Sequence, residues 1–501
     1  VHAFASVRTT PNLTAEETQM PEPQQRDETA TVDARIDANA IDRRVFPPSS
    51  RRGSSCEQLK IAEVRATELT AKHGSPLYVI DEGAARERAR EVREALQREA
   101  RRIGTEATVY YAGKAFLCVE VARWMDEEGL AVDVASGGEL AVALAAGVDP
   151  ARIGFHGNNK SEREIARAVE AGVGTIIIDS EIETERIASA ARAAGRRQRV
   201  RLRVNSGVHA STHDFLATSH EDQKFGQPLD EAPRLVEAIL AHESLEFVGL
   251  HCHIGSQIFA TDGFRESARR LLGAYPELQR IAGAPIPELN LGGGFGIAYT
   301  SAQADEAPAV ADIARELADI VAESAREFGV AVPKLAFEPG RSIIGQAGVT
   351  LYTVGTTKSV ALAGSDAAAD PDDLGRAARL YVSVDGGMSD NARPALYGAD
   401  YQVRIANRAS DAEPALVRVV GKHCESGDIV VQRDLLPGDV RPGDTLAVAA
   451  TGAYCWSLAS NYNYVPRPPV VAVRDGASRV IVRGETEDEL LAKSVIPTPA
   501  P

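Results

Sequence analysis

Residues 108–118 read TVYYAGKAFLC. Thr108, Val109, Tyr110 and Tyr111 are β-branched or aromatic, which reads as a buried strand. Ala112 and Gly113 give that strand a small, open exit, and Lys114 stands at its end before the apolar helix start Ala115-Phe116-Leu117. A lysine boxed in this way should suffer desolvation unless something uses its amine. Further strand candidates lie at 131–135, 153–157, 175–179, 200–204, 247–253, 287–291 and 334–338, making eight with 108–113. Between them run amphipathic stretches such as SGGELAVALAAG, SEREIARAVEAG and IETERIASAARAAG, each closing on glycine as a helix C-cap should. An open doubly wound sheet would also alternate in this way. The count of eight, with apolar strands of the parallel type, predicts an α/β fold, a (β/α)8 barrel over residues 82–343.

After residue 343 the pattern changes. GVTLYTVGTTKSVAL, RLYVSVDG, DIVVQRDLL and DTLAVAATGAY are short, β-rich and separated by Gly, Pro and Asp turns, which predicts an all-β domain over 344–497. The Ala- and Asp-rich stretch at about 363–378 reads as a surface insertion, and residues 45–81, ending in the strand SPLYVID, as a segment joining the β domain. Residues 1–44 lack a signal-type apolar region and read, from their Pro, Thr, Gln and Glu, as a disordered tail. At 501 residues the chain exceeds one core, and a net charge of −16 disfavours nucleic acid or an anionic membrane as partner. No run of eighteen apolar residues occurs to span a bilayer. Five scattered cysteines are no disulfide framework and fit a reducing cytoplasm. No metal site is assigned.

Barrel active sites form at the C-terminal ends of the strands, and the polar residues gather there. The first strand ends in Lys114, the second brings Asp133 and Ser136, and the third runs into HGNNK. The fifth carries Arg203 and Asn205, the sixth runs into HCHIGSQ, the seventh into GGGFG and the eighth into EPGR. Three consecutive glycines, Gly292, Gly293 and Gly294, let backbone N–H groups approach an anion, though glycine-rich loops are common. Ser256 and Arg341 on neighbouring units would add a hydroxyl and a cation. A lysine and a phosphate cradle in one barrel mouth suggest pyridoxal phosphate, held as a Schiff base. Glu338 could keep its ring nitrogen protonated, although a local ion pair with Arg341 would explain both residues as well. His253 could stack on the ring; His251 points the same way along the strand, so periodicity does not choose between them.

Together these residues resemble the fold-type-III pyridoxal-phosphate decarboxylases, whose barrel is of the alanine-racemase type, and among them the diaminopimelate decarboxylases. The resemblance runs from GSPLYVID to about residue 495. It rests on YAGKAF, VDVASGGEL, FHGNNKS, GLHCHIGSQI, LNLGGGFG, FEPGRSI, VDGGMSDNARPALYG, CESGD and GAY, each weak alone and specific in this order. It implies pyridoxal phosphate on Lys114, with His253 rather than His251 on the ring. Ser256, Gly294, Glu338, Pro339, Gly340, Arg341 and Tyr454 would then hold the cofactor, with Asp133, Arg203, Gly292 and Gly293 nearby. It also implies meso-diaminopimelate as substrate, bound by Arg341, Arg393, Tyr397, Glu425 and Tyr454. L-lysine and CO2 would be the products. Cys424 would be the proton donor, reaching in from the partner subunit of a homodimer. Taken alone, Cys424 reads as a small buried hydrophobe, and Arg393 and Tyr397 as part of a surface turn.

Two other readings share the barrel. A decarboxylase of ornithine, arginine or carboxynorspermidine would act on a monocarboxylate and would not need Arg393 with Tyr397. A catalytically dead binding protein of the same fold would have no use for Lys114, Glu338 and Cys424 together.

Overall fold

The strand that leads to the lysine is Ala107–Ala112 (β1), and the chain builds a closed cylinder outward from it. The computed structural model describes residues 37–53, 57–208, 224–362 and 378–495. The next seven barrel strands are Ala131–Val134 (β2), Ile153–Phe155 (β3), Thr175–Ile178 (β4), Gln198–Asn205 (β5), Leu245–His251 (β6), Glu288–Asn290 (β7) and Lys334–Phe337 (β8). All pair in parallel with their sequence neighbours. β8 returns to β1 with Leu335 opposite Ala107, and β4 meets β5 with Ile176 opposite Val200, so the sheet has no open edge. The eight expected strands are therefore present, and the (β/α)8 reading holds over the doubly wound one.

The connecting helices form where the sequence provides ends. Ser136 and Ser161 accept hydrogen bonds from Glu139 N–H and Glu164 N–H, and Ser161 with Glu164 makes a reciprocal capping box. Gly172 closes the second of these helices in the left-handed conformation. Among the described residues no helix is long and apolar enough to cross a membrane.

Away from the rim, a buried ion pair fills part of the barrel interior. Arg201 of β5 donates from Nη2 and Nε to Glu288 Oε2 of β7 at 2.8 and 3.1 Å, with its guanidinium 5.3 Å from the Tyr110 ring centroid. Arg201 is 1% exposed, so its charge cannot fall back on water if Glu288 is removed, whereas Glu288 keeps Arg199 Nη2 at 2.8 Å as a second partner.

The second sheet is built around Gly348–Ala361, which pairs antiparallel with Ala378–Val384, Thr445–Ala449 and Leu77–Asp81. Leu77–Asp81, the strand that precedes the barrel, also pairs in parallel with Val470–Arg474. The expected tail proves shorter than its sequence suggested, because residues 37–44 are anchored to this sheet domain. Asn39 Nδ2 donates to Ser410 O at 2.9 Å and Arg404 Nε donates to Ala40 O, while Val45 and Phe46 just beyond are fully buried. Residues 1–36, and all but the last residue of the insertion expected at 363–378, lie outside the described residues.

Replacing Glu288 by Gln leaves the Arg201 charge buried without its counter-ion. Thermal or denaturant unfolding should show a loss of about 3–5 kcal/mol. The double variant Arg201→Met/Glu288→Leu should lose markedly less.

Candidate active site

Lys114 lies in a short turn, Gly113–Ala115, immediately after β1. Gly113, Ala115 and Phe116 are buried, yet Lys114 itself is exposed. The desolvation expected of a boxed-in lysine is thus absent. Packing of its neighbours presents the side chain to open space at the barrel mouth, where it lines three adjoining cavities.

The innermost cavity, about 120 Å³, sinks into the barrel between Lys114, Asp133, His156, Arg203, His251, His253 and Glu338. Glu338 follows β8 and is held from three sides. Asn290 Nδ2 donates to Oε1 at 2.6 Å, His251 Nε2 donates to Oε2 at 3.2 Å, and His156 Nε2 lies 3.2 Å from Oε1. Burial alone would raise the Glu338 pKa. The imidazoles of His156 and His251 outweigh it and hold the carboxyl well below the usual carboxylate range. Burial pushes His251 down to about 4, so its ring is neutral and donates through Nε2–H.

A small pocket beside it is lined by Ser256, Gly294, Gly340, Arg341 and Tyr454. Arg341 donates to Ser256 Oγ at 2.8 Å and to the Tyr299 hydroxyl, and its guanidinium stacks 4.7 Å from the Tyr454 ring centroid. Its Nε–H is buried and has no protein acceptor among the described residues. Gly294 has φ +105°, and a Cβ there would lie 2.3 Å from Gly255 O, so only glycine lets the backbone pass. The other two glycines do different work. Gly292 N–H is taken by Asn290 Oδ1 and Gly293 N–H by His253 Nδ1, and neither residue lines a cavity. Pro339 likewise stays out of the cavities, its carbonyl accepting from Ala112 N–H.

The two histidines of HCHIGSQ are now distinguished. His251 is a Glu338 ligand, whereas His253 lines all three cavities. With Nδ1 accepting from Gly293, its remaining proton is on Nε2. Burial and the nearby Lys114 and Arg203 charges keep the ring neutral.

The outer cavity, about 420 Å³, is lined by Lys114, Arg341, Arg393, Tyr397 and Tyr454. Arg393 is buried, donates to the Tyr401 hydroxyl at 2.5 Å and lies 4.6 Å from the Tyr299 ring centroid. Tyr454 N–H donates to Ala115 O at 2.7 Å, which ties the β domain to the turn bearing the lysine. Cys424 and Glu425 are not brought here. They are exposed on a turn whose Asp428 accepts from Met388 N–H and His423 N–H, at 2.6 and 2.7 Å. Cys424 is therefore not the small buried hydrophobe its sequence alone suggested.

Sequence reasoning assigned no role to His156, Asn290, Tyr299 or Tyr401. His156 and Asn290 do lie in quoted motifs, FHGNNKS and LNLGGGFG, at strand ends where a barrel places its chemistry. Tyr299 and Tyr401 carry no such signal.

These residues fit pyridoxal phosphate. The free Arg341 Nε–H and the Gly294 passage suit a phosphate, the exposed Lys114 amine suits an aldehyde, and the ionised Glu338 carboxylate suits a protonated ring nitrogen.

Comparison with known proteins agrees. Residues 87–345 match the family model described as pyridoxal-dependent decarboxylase, pyridoxal binding domain. The chain is 50% identical over 441 residues to the diaminopimelate decarboxylase of Mycobacterium tuberculosis, covering 87% of this chain and 94% of that one. Against the enzyme of Bacillus subtilis it is 41% identical over 449 residues, covering 89% and 97%. The crystal structure of the diaminopimelate decarboxylase of M. jannaschii in co-complex with L-lysine superposes with a TM-score of 0.78. There the identity is 31%, and the match covers 90% of this chain and 98% of that one. The chain belongs to the pyridoxal-dependent decarboxylases, within the diaminopimelate decarboxylase family.

Proposed function

We propose that this chain decarboxylates meso-2,6-diaminopimelate to L-lysine and CO2 at the barrel mouth, as a cytoplasmic homodimer. One observation carries the reading. Lys114 opens at once onto the phosphate-type pocket, the Glu338 cavity and an outer cavity holding a second buried guanidinium, Arg393. Lys114 would hold the cofactor through its amine. Ser256, Gly294, Gly340, Arg341 and Tyr454 would hold its phosphate, His253 its ring face and Glu338 its ring nitrogen. Asp133 and Arg203 line the same inner cavity, while Gly292, Gly293 and Pro339 act by shaping the loops. When bound, pyridoxal phosphate supplies an electron-withdrawing ring that takes up the electron pair left behind as CO2 departs.

The substrate has an amino-acid group at each end, and one end stays intact. Its carboxylate needs a cation in the outer cavity, which Arg393 supplies beside Tyr397, with Arg341 nearby. Its ammonium needs an anion. Glu425 suits that need, and Cys424 suits the proton that must return to the reacting carbon. Both are exposed outside the cavities of their own chain, which supports their delivery by the partner subunit. A monocarboxylate diamino acid would leave Arg393 desolvated with nothing to bind, so the dicarboxylate reading is preferred to the ornithine- or arginine-type one. The described free thiols Cys118, Cys252, Cys424 and Cys455 suit a reducing compartment.

The direct test incubates the purified protein with meso-diaminopimelate and pyridoxal phosphate and assays L-lysine. Absence of lysine with the cofactor bound would overturn the reading. Lys114→Ala should abolish both lysine formation and the borohydride-sensitive visible band. Arg393→Ala should raise KM for diaminopimelate about 10- to 100-fold while the visible band is retained. Mixing the Lys114→Ala and Cys424→Ala proteins, after dissociation and reassociation, should restore about a quarter of wild-type activity, since a mixed dimer would hold one complete site. No recovery would place Cys424 outside the partner's site.

A further inference from the structure

We propose that His156 is a positioning residue: its imidazole, shared as an imidazolium between Asp133 and Glu338, fixes Glu338 as the ionised carboxylate that faces the cofactor's ring nitrogen. The inference rests on the role given to Glu338 in the proposed function, and extends it to a residue that the sequence reading left without one.

The geometry is that of one donor between two acceptors. His156 Nε2 lies 3.2 Å from Glu338 Oε1 and 3.3 Å from Asp133 Oδ1, at ion-pair distance from both and squarely aimed at neither. Asp133 is buried and the Glu338 side chain is 10% exposed, and Asp133 accepts no hydrogen bond on either oxygen among the described residues. Two carboxylates lining one cavity repel, and a single cation between them removes that repulsion. The fold makes room for the arrangement. A Cβ on Gly154, in the neighbouring strand β3, would stand 2.3 Å from Asp133 Oδ1.

The other groups facing this space leave His156 as the bridging cation. His251 packs edge-on, with ring centroids 5.0 Å apart, and serves Glu338 Oε2 as a neutral donor. Asn290 donates to Oε1 without charge. Lys114, Glu139 and Arg203 line the same cavity. Arg201 is committed to Glu288, and Tyr110 accepts from it at 3.3 Å. His156, His251 and Glu338 offer atoms within 4.8 Å of one another, close enough for a metal ion. The additional contact to Asp133 and the Asn290 hydrogen bond assign that space to protons instead. Although burial works against it, Glu338 and Asp133 raise His156 to about 9. Burial, then the charge on Glu338, raises Asp133 to about 6. With His156 raised and Glu338 held low, the cluster carries an imidazolium beside an ionised Glu338.

The experiment uses the holoenzyme and reads kcat together with the visible absorbance of the bound cofactor, both titrated from about pH 5 to about pH 10. Removing the cation lets Glu338 protonate more easily. Because Glu338 is held well below the usual carboxylate range in the wild type, His156→Asn should bring an acid limb in kcat and in the visible band up into the titrated range, with KM changed much less than kcat. Asp133→Asn, nearly isosteric and so tolerant of the fold, should lower the His156 pKa and bring the basic limb down by about one unit. Because His156 acts through Glu338, the double variant His156→Asn/Glu338→Gln should lose little more activity than Glu338→Gln alone. Unmoved limbs and bands in His156→Asn and Asp133→Asn, or losses that multiply in the double variant, would overturn the inference. If Glu338→Gln itself leaves the visible band untouched, the placement of Glu338 fails, and this inference with it.

Discussion

Parallel pairing fixes direction, and everything chemical in this chain depends on that. When β4 hydrogen-bonds to β5 and β8 returns to β1, eight strands point the same way and their C-terminal ends are forced onto a single rim. Lys114, His156, Gly294 and Glu338 come from four different strand ends, separated by up to 224 positions in the chain, and meet only because the cylinder closes. A slip of one residue in any strand would turn its inward set outward. The site is therefore as rigid as the ladder that carries it, and its loops need only supply the last few ångströms.

Within that frame the electrostatics are layered. Deep in the barrel, Arg201 and Glu288 neutralise each other away from the chemistry. Nearer the mouth, Glu338 is kept charged by two imidazoles of opposite temper, one raised by its carboxylate neighbours and one lowered by burial. At the rim, the Arg341 and Arg393 guanidiniums are stacked on tyrosines, both lining the outer cavity and Arg341 the small pocket as well. In the proposed function the interior would tune the cofactor's ring and the mouth would grip the dicarboxylate.

Much of this could be read from the sequence, and the limits have physical causes. The eight strands were legible because buried parallel strands are short apolar runs bounded by glycine-capped helices. Lys114 and Glu338 were legible because each ends such a run. The GGG loop was legible as an anion motif but not in its division of labour, since only coordinates show that Asn290 and His253 already occupy the amides of Gly292 and Gly293. His156 was not legible in its role, because a histidine after a strand looks the same whether it faces solvent or two carboxylates. Tyr299 and Tyr401 could not be found at all, as their contacts to Arg341 and Arg393 span 42 and 8 residues without a periodic pattern. The lysine's exposure ran against the expectation from its neighbours, because burial of the flanking residues says nothing about where a long side chain leads.

The strand Leu77–Asp81 sits between Gly348–Ala361 and Val470–Arg474, so its partners are encoded hundreds of residues downstream. During synthesis it leaves the ribosome first and must wait while the whole cylinder is translated and can close. Through that interval LYVI is an apolar ribbon with both edges bare, the kind of segment that recruits strangers. A nascent chain stalled before residue 470 would carry a finished barrel tethered to an adhesive stub, which makes premature termination more hazardous here than the soundness of the barrel would suggest.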